Sequence, residues 1–251
     1  MLNVLLSGVS GAMGHVLREL IDADPELNLI AGFDKNTDTK TDFPVYDHLD
    51  DFTGQADVII DFSHFSAFDA IFSYAHRTQT PIVLATTGLS EDNQKTIESA
   101  SADFPIFKTA NMSLGINILA KALKDMAGAL EEGFDIEIIE KHHNKKADAP
   151  SGTALLLADA VNDGLASKKD YTYGREGRNC KRQPSELGIH AIRGGTIPGE
   201  HTVLFAGNDE LIEIKHTALS KKVFASGAIK AAKYLVRQKA GLYDMQDLLS
   251  E

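Results

Sequence analysis

The segment Glu137–Ala154 contains the densest cluster of side chains that could transfer protons or bind anions. Two adjacent histidines, His142 and His143, precede a lysine-rich stretch, and Ser151-Gly152-Thr153 then opens an apolar segment. Histidine, or a lysine whose pKa is lowered by nearby cations, is suited to general acid catalysis near neutral pH. A serine N-cap followed by unblocked N–H groups forms an anion site. The pattern therefore predicts a loop that binds carboxylates and manages protons.

Two other interpretations of this loop compete with that prediction. A metal site would draw on the histidines at positions 142, 143, 190, 201 and 216, but adjacent residues of an extended chain point to opposite sides. No His-Glu-x-x-His spacing and no cysteine pair supports a metal, so none is predicted. An inert, solvated basic loop explains the charge, but it does not explain the helix-opening run after Pro150.

A glycine loop near the start of the chain carries a second chemical signal. Gly8, Gly11 and Gly14 follow an apolar run and precede an amphipathic segment, with Ser10, Ala12 and Met13 between them. Such a loop lets the backbone approach a pyrophosphate at a helix N-terminus. The spacing is G-x-x-G-x-x-G instead of the commoner G-x-G-x-x-G, and a tight turn without a ligand is the alternative.

A carboxylate follows at the position that a dinucleotide site requires. Asp34 ends the second predicted strand about 20 positions after Gly14, where it would meet the adenosine ribose hydroxyls of NAD. Lys35 comes next and could instead approach the 2′-phosphate of NADP. The alternative is an Asp that caps a turn. NADH, NADPH or both are therefore the predicted cofactors.

The loops that follow three later strands lie where a nicotinamide ring would rest over the sheet edge, and they include small and hydroxylated residues. The predicted positions in these loops are Phe62, Ser63, Thr86, Thr87, Gly88, Asn111 and Met112. As ordinary turns they would need no ligand.

The elements that must position these residues alternate between strand and helix in the first half of the chain. Continuous apolar strands separated by helices predict a Rossmann-like, doubly wound parallel sheet. The predicted strands are Leu2–Leu6, Leu27–Phe33, Asp57–Asp61, Pro81–Ala85 and Phe104–Phe107. The predicted helices are His15–Ala23, Ser66–Arg77 and Ser90–Ala102.

The second half of the chain predicts a C-terminal α+β domain with an open, mostly antiparallel sheet of about four strands. Its elements are the helices Leu114–Leu130 and Ser151–Asn162 and the strands Phe134–Glu140, Leu187–Arg193, His201–Ala206 and Leu211–Leu219. The polar stretch Ala166–Ser185 is either a solvated loop or an arm toward a partner or the site. We expect residues 1–112 and 220–251, with the final helix Val223–Lys239, to form a dinucleotide-binding domain, and residues 113–219 a substrate-binding and oligomerisation domain.

Composition excludes several classes of function. The 251 residues carry a formal net charge of -11, which argues against nucleic acid or an anionic membrane as a partner. The only cysteine, Cys180, rules out an intrachain disulfide. No signal peptide is visible and no apolar run approaches the ~20 residues needed to span a bilayer, so a cytoplasmic location is expected.

The central loop reads Glu140-x-His142-His143-x-x-Lys146-x-Asp148-x-Pro150-Ser151-Gly152-Thr153-Ala154. This run resembles the signature of the 4-hydroxy-tetrahydrodipicolinate (dihydrodipicolinate) reductase family of lysine and diaminopimelate biosynthesis. Further elements occur in the family's order, including Gly8-x-x-Gly11-x-Met13-Gly14, Asp61-Phe62-Ser63, Thr86-Thr87-Gly88, Asn111-Met112-Ser113 and Arg193-x-Gly195-x-x-x-Gly199-x-His201-Thr202.

The resemblance implies a mechanism and a set of roles. His142 would be the acid/base and Lys146 the proton donor, while His143, Ser151, Gly152 and Thr153 would help to bind a small dicarboxylate. Hydride would pass from the nicotinamide to C4 of the substrate, with loss of a hydroxyl as water. The family also implies a homotetramer that assembles through the C-terminal sheets.

The chain departs from the family pattern at two positions. Ala12 stands where many members have an arginine that helps to hold the NADP phosphate, and Phe65 stands where a proline is common. Without that arginine, and with Asp34 present, NADH should be used at least as well as NADPH.

Two alternatives from other classes remain open at this point. Another two-domain NAD(P)-dependent dehydrogenase acting on a small carboxylate would share the glycine loop, but it gives no reason for the helix-opening Ser151-Gly152-Thr153 beside the histidines. A non-enzymatic NAD(H) sensor would have no need of Lys146, so Lys146→Ala should leave its behaviour intact.

Overall fold

The computed structural model describes residues 1–251, which form two compact units. Met1–Leu114 and Lys221–Glu251 together make the first unit, and Gly115–Ser220 makes the second. The first unit is therefore discontinuous in sequence. None of the helices combines the length and the apolar character that crossing a bilayer requires.

The first unit is built on a seven-stranded sheet in which every pair of neighbours is parallel. Its strands are β1 (Leu2–Ser7), β2 (Leu27–Phe33), β3 (Val45–Tyr46), β4 (Val58–Asp61), β5 (Ile82–Leu84), β6 (Pro105–Lys108) and β12 (Gly241–Tyr243), in the order β12-β6-β5-β4-β1-β2-β3. The prediction of a Rossmann-like parallel sheet is confirmed. The two-residue β3 and three-residue β12 were not predicted.

Helices cover both faces of this sheet, because its central strands are apolar on both sides. They are α1 (Ala12–Asp22), α2 (Phe68–Thr78), α3 (Glu91–Ala100), α6 (Lys222–Leu235) and α7 (Met245–Leu249), with 3-10 turns at Leu49–Asp51 and Phe65–Ala67. Val4 and Leu6 of β1 face a core shared with α1 and α6, whereas Leu5 faces the core under α2 and α3.

Small residues let α6 approach its neighbours closely. A Cβ built on Gly227 would lie only 1.7 Å from the Met112 carbonyl oxygen, so no larger residue fits there. Its alanines at 225, 228, 231 and 232 are fully buried in the same core. The alanine-rich sequence of this helix is thus a requirement of close packing.

The second unit is a five-stranded sheet with two helices. Its strands are β7 (Asp135–His142), β8 (Asp170–Tyr173), β9 (Glu186–Arg193), β10 (Glu200–Ala206) and β11 (Leu211–Thr217), in the order β11-β10-β7-β9-β8, and its helices are α4 (Leu114–Leu130) and α5 (Gly152–Gly164). The predicted α+β class is confirmed, but the strand directions differ from the expectation. Two pairs are antiparallel and two are parallel, so the sheet is mixed instead of mostly antiparallel.

Alternation along the strands decides which face of this sheet the helices cover. Ile136 and Ile138 of β7 are fully buried in the core formed with α4 and α5. Glu137 and Ile139 point to the opposite face, which no helix of this unit covers. The two helices also touch through backbone, since a Cβ on Gly164 would lie 2.0 Å from the Lys124 carbonyl oxygen.

The polar stretch 166–185 is more ordered than a solvated loop. It contains β8, and Arg175 binds both carboxylate oxygens of Glu137 at 2.9 Å. Arg182 donates to the same carboxylate at 3.1 Å. The stretch is therefore tied back to the uncovered face of its own sheet.

Candidate functional site

The glycine loop between β1 and α1 leaves no room for side chains at two of its three glycines. A Cβ on Gly8, whose φ is +79°, would lie 2.7 Å from the Phe62 carbonyl oxygen. A Cβ on Gly14 would lie 2.3 Å from the carbonyl oxygen of Gly8. These contacts bring the start of α1 close against the ends of β1 and β4, as a phosphate-binding turn requires.

The N-terminus of α1 fits an anion. Gly11 is its N-cap, no side chain caps it, and its first turn carries no acidic residue. Its N–H groups and the positive end of the helix dipole are therefore available to phosphates. Ala12, Met13 and Gly14 form this first turn, and the Met13 side chain packs partly against the core.

Asp34 is fixed at the end of β2 by backbone donors. Its carboxylate accepts hydrogen bonds from the Ser10 N–H at 3.0 Å and the Asn36 N–H at 3.1 Å. The glycine loop and the β2–β3 loop are thereby joined. The Lys35 ammonium lies 3.5 Å from the Ser66 hydroxyl.

A cleft of about 580 Å³ opens beside this loop, entirely within the first unit. Of the predicted cofactor residues, Gly8, Ser10, Gly11, Asp34, Lys35, Phe62 and Ser63 line it. Sequence reasoning missed other lining residues, namely Phe33, Asp47, His48, His64, Ser66, Ala67 and Ala70. Their positions depend on how the β3 and α2 segments fold against β2, so no local motif marks them.

The remaining predicted cofactor residues lie outside the lining of that cleft. Thr86 is buried and donates to the fully buried Asp61 carboxylate at 2.5 Å, which joins the ends of β5 and β4. Thr87 is exposed, and Gly88 has a φ of +78°. The Asn111 side chain accepts from the Ser113 N–H at 2.8 Å, and Met112 is buried in the core.

A larger cleft, about 820 Å³, lies elsewhere on the first unit. Residues of α1, of β2 and of the segment that follows β2 line it, including Arg18, Lys40 and Asp42. None of the predicted cofactor residues is among them, so the smaller cleft is the one that coincides with the chemical signal.

In the second unit, a single buried carboxylate organises the predicted catalytic loop. Glu140 of β7 is 0% exposed and accepts from both terminal nitrogens of Arg193 at 2.7 Å. It also bonds His142 Nδ1 at 2.6 Å and the Ser151 N–H at 3.0 Å. Burial raises the pKa of the Glu140 carboxyl, but hydrogen bonds from Arg193, His142 and Ser151 outweigh burial and hold the net pKa below its ordinary value.

The strand register explains why these groups meet. Glu140 and His142 lie two residues apart on β7, so they share a face. His201 on β10 stands opposite Glu140, and Arg193 on β9 stands opposite His142. The rings of His142 and His201 meet edge to face with their centroids 5.1 Å apart.

His201 is a buried partner of this cluster. Burial first, and the neighbouring His142 second, lower the pKa of His201 to about 4, so its ring is neutral near pH 7. Its Nε2 lies 2.9 Å from the Ser151 hydroxyl.

Ser151 caps α5 as predicted. Its hydroxyl accepts from the Ala154 N–H at 3.2 Å, and both the hydroxyl and the N–H of Ser151 are bonded inside the protein. A Cβ on Gly152 would meet nothing within 4 Å, and the first turn of α5 holds no acidic residue. The opening of the helix at Gly152 and Thr153 is therefore suited to a carboxylate.

The cations of the loop differ in their surroundings. Lys146 forms an ion pair with Asp148 at 2.8 Å, and its side chain is 21% exposed. His143 Nδ1 is buried and has no hydrogen-bond partner. Lys145 is exposed. Lys141, on β7, pairs with Glu200 of β10.

No group of three or more His, Cys, Asp or Glu side chains lies in an arrangement that could hold a metal ion. His190 faces away from the loop and binds Glu137 at 2.7 Å on the uncovered side of the sheet.

Comparison with known proteins decides the family. The family model described as "Dihydrodipicolinate reductase, N-terminus" matches residues 2–112, and the model for the C-terminus of the same family matches residues 115–249. The chain belongs to the dihydrodipicolinate reductase family. The resemblance drawn from the sequence motifs is confirmed, and the chain is an NAD(P)H-dependent oxidoreductase of this family.

Relatives of the dihydrodipicolinate reductase family match this chain over its whole length. The 4-hydroxy-tetrahydrodipicolinate reductase of Caldanaerobacter subterraneus subsp. tengcongensis is 53% identical over 251 residues, covering 100% of this chain and 99% of that protein. The enzyme of the same name from Clostridium tetani is 46% identical over 250 residues, covering 100% of this chain and 98% of that protein.

Solved structures share the fold of this family member. A dipicolinate-bound dihydrodipicolinate reductase from Paenisporosarcina sp. TG-14 aligns with a TM-score of 0.77 at 21% identity, covering 97% of each chain. An aspartate dehydrogenase from Thermotoga maritima aligns with a TM-score of 0.51 at 11% identity, covering 94% of this chain and 97% of that one. At these identities the likeness concerns the fold alone.

Proposed function

We propose that this chain reduces 4-hydroxy-tetrahydrodipicolinate to tetrahydrodipicolinate, with loss of water, using NADH or NADPH in lysine and diaminopimelate biosynthesis. The observation that carries the proposal is the buried Glu140–His142 pair beside the capped N-terminus of α5. It occurs in a chain whose two halves both match the reductase family.

The first unit is the proposed dinucleotide-binding domain. Gly8, Gly11 and the first turn of α1 hold the phosphates, since they combine close backbone approach with an uncapped helix N-terminus. Asp34 and Lys35 line the cleft where the adenosine ribose belongs. The segments Phe62–Ser63, Thr86–Gly88 and Asn111–Met112 at the strand ends serve the nicotinamide side. When bound, the reduced nicotinamide supplies the hydride.

The second unit is the proposed substrate-binding domain. N–H groups at Gly152 and Thr153 bind one carboxylate of the substrate at the positive end of the α5 dipole. His143 and Lys146 add a ring nitrogen and an ammonium for the carboxylates. Ser151 stabilises this part of the loop instead of binding substrate directly, since its hydroxyl caps α5 and its N–H donates to Glu140. The Paenisporosarcina reductase binds dipicolinate, a planar dicarboxylate, which supports a ligand of the same class here.

Proton transfer falls to two side chains of the same loop. Lys146 donates a proton to the substrate as hydride arrives, because its ammonium is the partly covered cation of the loop that leads into α5. His142 acts as the acid/base whose Nδ1 is held by Glu140. The hydroxyl leaves as water, together with a proton from the adjacent ring carbon, before hydride reaches C4, because that carbon is saturated while it bears the hydroxyl.

The proposed cofactor preference is NADH at least as well as NADPH. A ribose 2′-phosphate bound in this cleft would be repelled by the negative charge of the Asp34 carboxylate. Ala12 provides no cation to offset that repulsion. The ratio of kcat/KM for the two cofactors measures the preference. A kcat/KM with NADPH that exceeds the value with NADH by more than about tenfold, ~1.4 kcal/mol, would contradict the proposal. Ala12→Arg should shift the ratio toward NADPH.

A coupled assay tests the reaction itself. Freshly made 4-hydroxy-tetrahydrodipicolinate is supplied with each cofactor, and loss of nicotinamide absorbance is followed. Activity that depends on the substrate supports the proposal. Oxidation of the cofactor with aspartate-derived or sugar substrates instead would place the chain with the other dehydrogenases that share its fold.

We also propose assembly as a homotetramer through the sheet of the second unit. The helices cover only one of its faces, and Ile192 on the other face and Leu211 on the edge strand are 46% and 55% exposed. Light scattering after size exclusion checks the mass. A monomer at micromolar concentration would contradict this proposal.

A further inference from the structure

The bonding of Glu140 restricts the protonation of His142. A carboxylate that accepts two bonds from Arg193 and one from the Ser151 N–H is ionised, and an ionised carboxylate can only accept. Its 2.6 Å contact with His142 Nδ1 therefore requires a proton on Nδ1. In the neutral ring, Nε2 is then the bare nitrogen.

The residue next to Nε2 is a glycine. A Cβ on Gly199 would lie 3.1 Å from His142 Nε2, so glycine leaves that nitrogen unobstructed on the β10 side. His201 packs edge to face on the ring.

The charged and titratable groups around the His142 ring come from three strands. They are Glu140 on β7, Arg193 on β9 and His201 on β10. Lys146, in the loop between β7 and α5, acts electrostatically on His201. Among these groups only Glu140 bonds to the ring.

We propose that Glu140 is a positioning residue for proton transfer: it holds His142 in the tautomer with Nδ1 protonated and presents Nε2 to the substrate. The same carboxylate ties His142 to the start of α5 through Ser151 and to β9 through Arg193. The proton-transferring atom and the carboxylate-binding helix terminus are therefore fixed by one group. This inference rests on the proposed acid/base role of His142.

Glu140→Gln tests the inference because it changes charge and donor pattern with little change of shape. The new amide can donate to Nδ1, which favours the opposite tautomer with Nε2 protonated. In Ser-His-Asp hydrolases the equivalent Asp→Asn change lowers kcat about 10⁴-fold through the wrong tautomer. Here we expect kcat to fall by about 10² or more, with the Kd for NADH within about twofold.

The tautomer is read directly from ¹⁵N signals of histidine-labelled protein, and His142→Gln identifies the His142 signals by their loss. The wild type should show Nδ1 protonated and Nε2 bare in the neutral ring, and Glu140→Gln should reverse or mix the two. Glu137→Gln is the matched control, because Glu137 lies three residues before Glu140 on β7 and binds arginine and histidine on the opposite face. It should leave the His142 signals in place.

The outcomes separate the inference from the proposed function. A wild-type ring with Nε2 protonated, or a Glu140→Gln ring unchanged from wild type, overturns the inference while the reductase assignment stands. A switched tautomer with unchanged kcat overturns the proton-transfer role of His142, and the inference with it. If Glu140→Gln does not fold, the wild-type spectrum alone still decides the tautomer, and Gly199→Ala should lower kcat by crowding Nε2.

Discussion

Lys145 and Lys146 are neighbours in sequence, but the fold gives them different surroundings. Lys146 is largely covered and paired with Asp148 at 2.8 Å, whereas Lys145 is exposed. The alternation of side chains in the loop after β7 thus separates a cation held inside the loop from one in solvent. Under the proposed function, only Lys146 would act on a bound substrate.

We predict that Lys146→Ala lowers kcat by about 10² or more, because a positioned proton donor contributes roughly that factor. Fluorescence titration should show that NADH still binds, since the proposed cofactor residues lie in the other unit. Lys145→Ala is the matched control and should keep kcat within about twofold. Equal losses in both variants would mean that the loop needs only its total charge.

The proposed site residues were predictable from sequence to different degrees. His142, Lys146 and Ser151 stood out because unusual side chains lie next to a helix start. The matched motifs include Glu140, Arg193 and His201, but the sequence predicted no role for them. Their contacts depend on the register of three strands. The i, i+2 spacing of Glu140 and His142 on a strand was the one local signal of their contact.

At the scale of elements, α3 and α5 start in the same way but in different settings. Ser90 and Ser151 each accept from the N–H three residues on, at 3.1 and 3.2 Å. Ser90 is exposed, whereas Ser151 is buried and also contacts His201 Nε2 at 2.9 Å.

We predict that Ser151→Ala destabilises the protein more than Ser90→Ala. Each change removes an N-cap bond, worth about 1 kcal/mol. Ser151→Ala also leaves a buried His201 nitrogen without its partner, which adds about 1–3 kcal/mol. Melting temperatures of the two variants measure the difference. Only Ser151→Ala should raise KM for the substrate, and equal effects on both quantities would contradict a special role for this cap.

Long periodic elements were predictable because many residues repeat the same pattern. Short ones were not: β3 and β12 span two and three residues, and β8 lies in a polar stretch that looked like a loop. The mixed sheet was also missed. β7 is followed by α5 before the chain reaches β9, and a helical crossover of this kind favours parallel strands. Alternating polarity alone pointed to antiparallel pairing.

For the molecule as a whole, stability should fall as the pH drops below about 6.5. The folded pKa of His201 is about 4, lowered first by burial and then by His142, whereas the unfolded value is near 6.5. Between these two pH values the folded state therefore binds fewer protons than the unfolded state. The contribution of His201 to the free energy of unfolding is full above pH ~6.5 and is lost as the pH falls toward 4. The loss is of order 3 kcal/mol.

Urea unfolding at pH 7.5 and pH 4.5 measures this slope. His201→Gln removes the titrating ring but can still donate to Ser151, so its slope should be shallower. His15→Gln, at an exposed position, should keep the wild-type slope. An unchanged slope in His201→Gln would assign the acid sensitivity to other groups, and Glu200 is not among them in this pH range. Lys141 and then Lys215 lower the pKa of Glu200 to about 2, so its contribution disappears only below pH ~4.5.

The discontinuity of the first unit also has a consequence for synthesis on the ribosome. Translation delivers β1 to β6, then the whole of the second unit, and only afterwards α6 and β12. Until α6 emerges, part of the apolar face that includes Val4, Leu6 and Val58 has no cover. The middle of the chain can therefore complete its own core first, while the first unit keeps apolar surface exposed until its last segment is made.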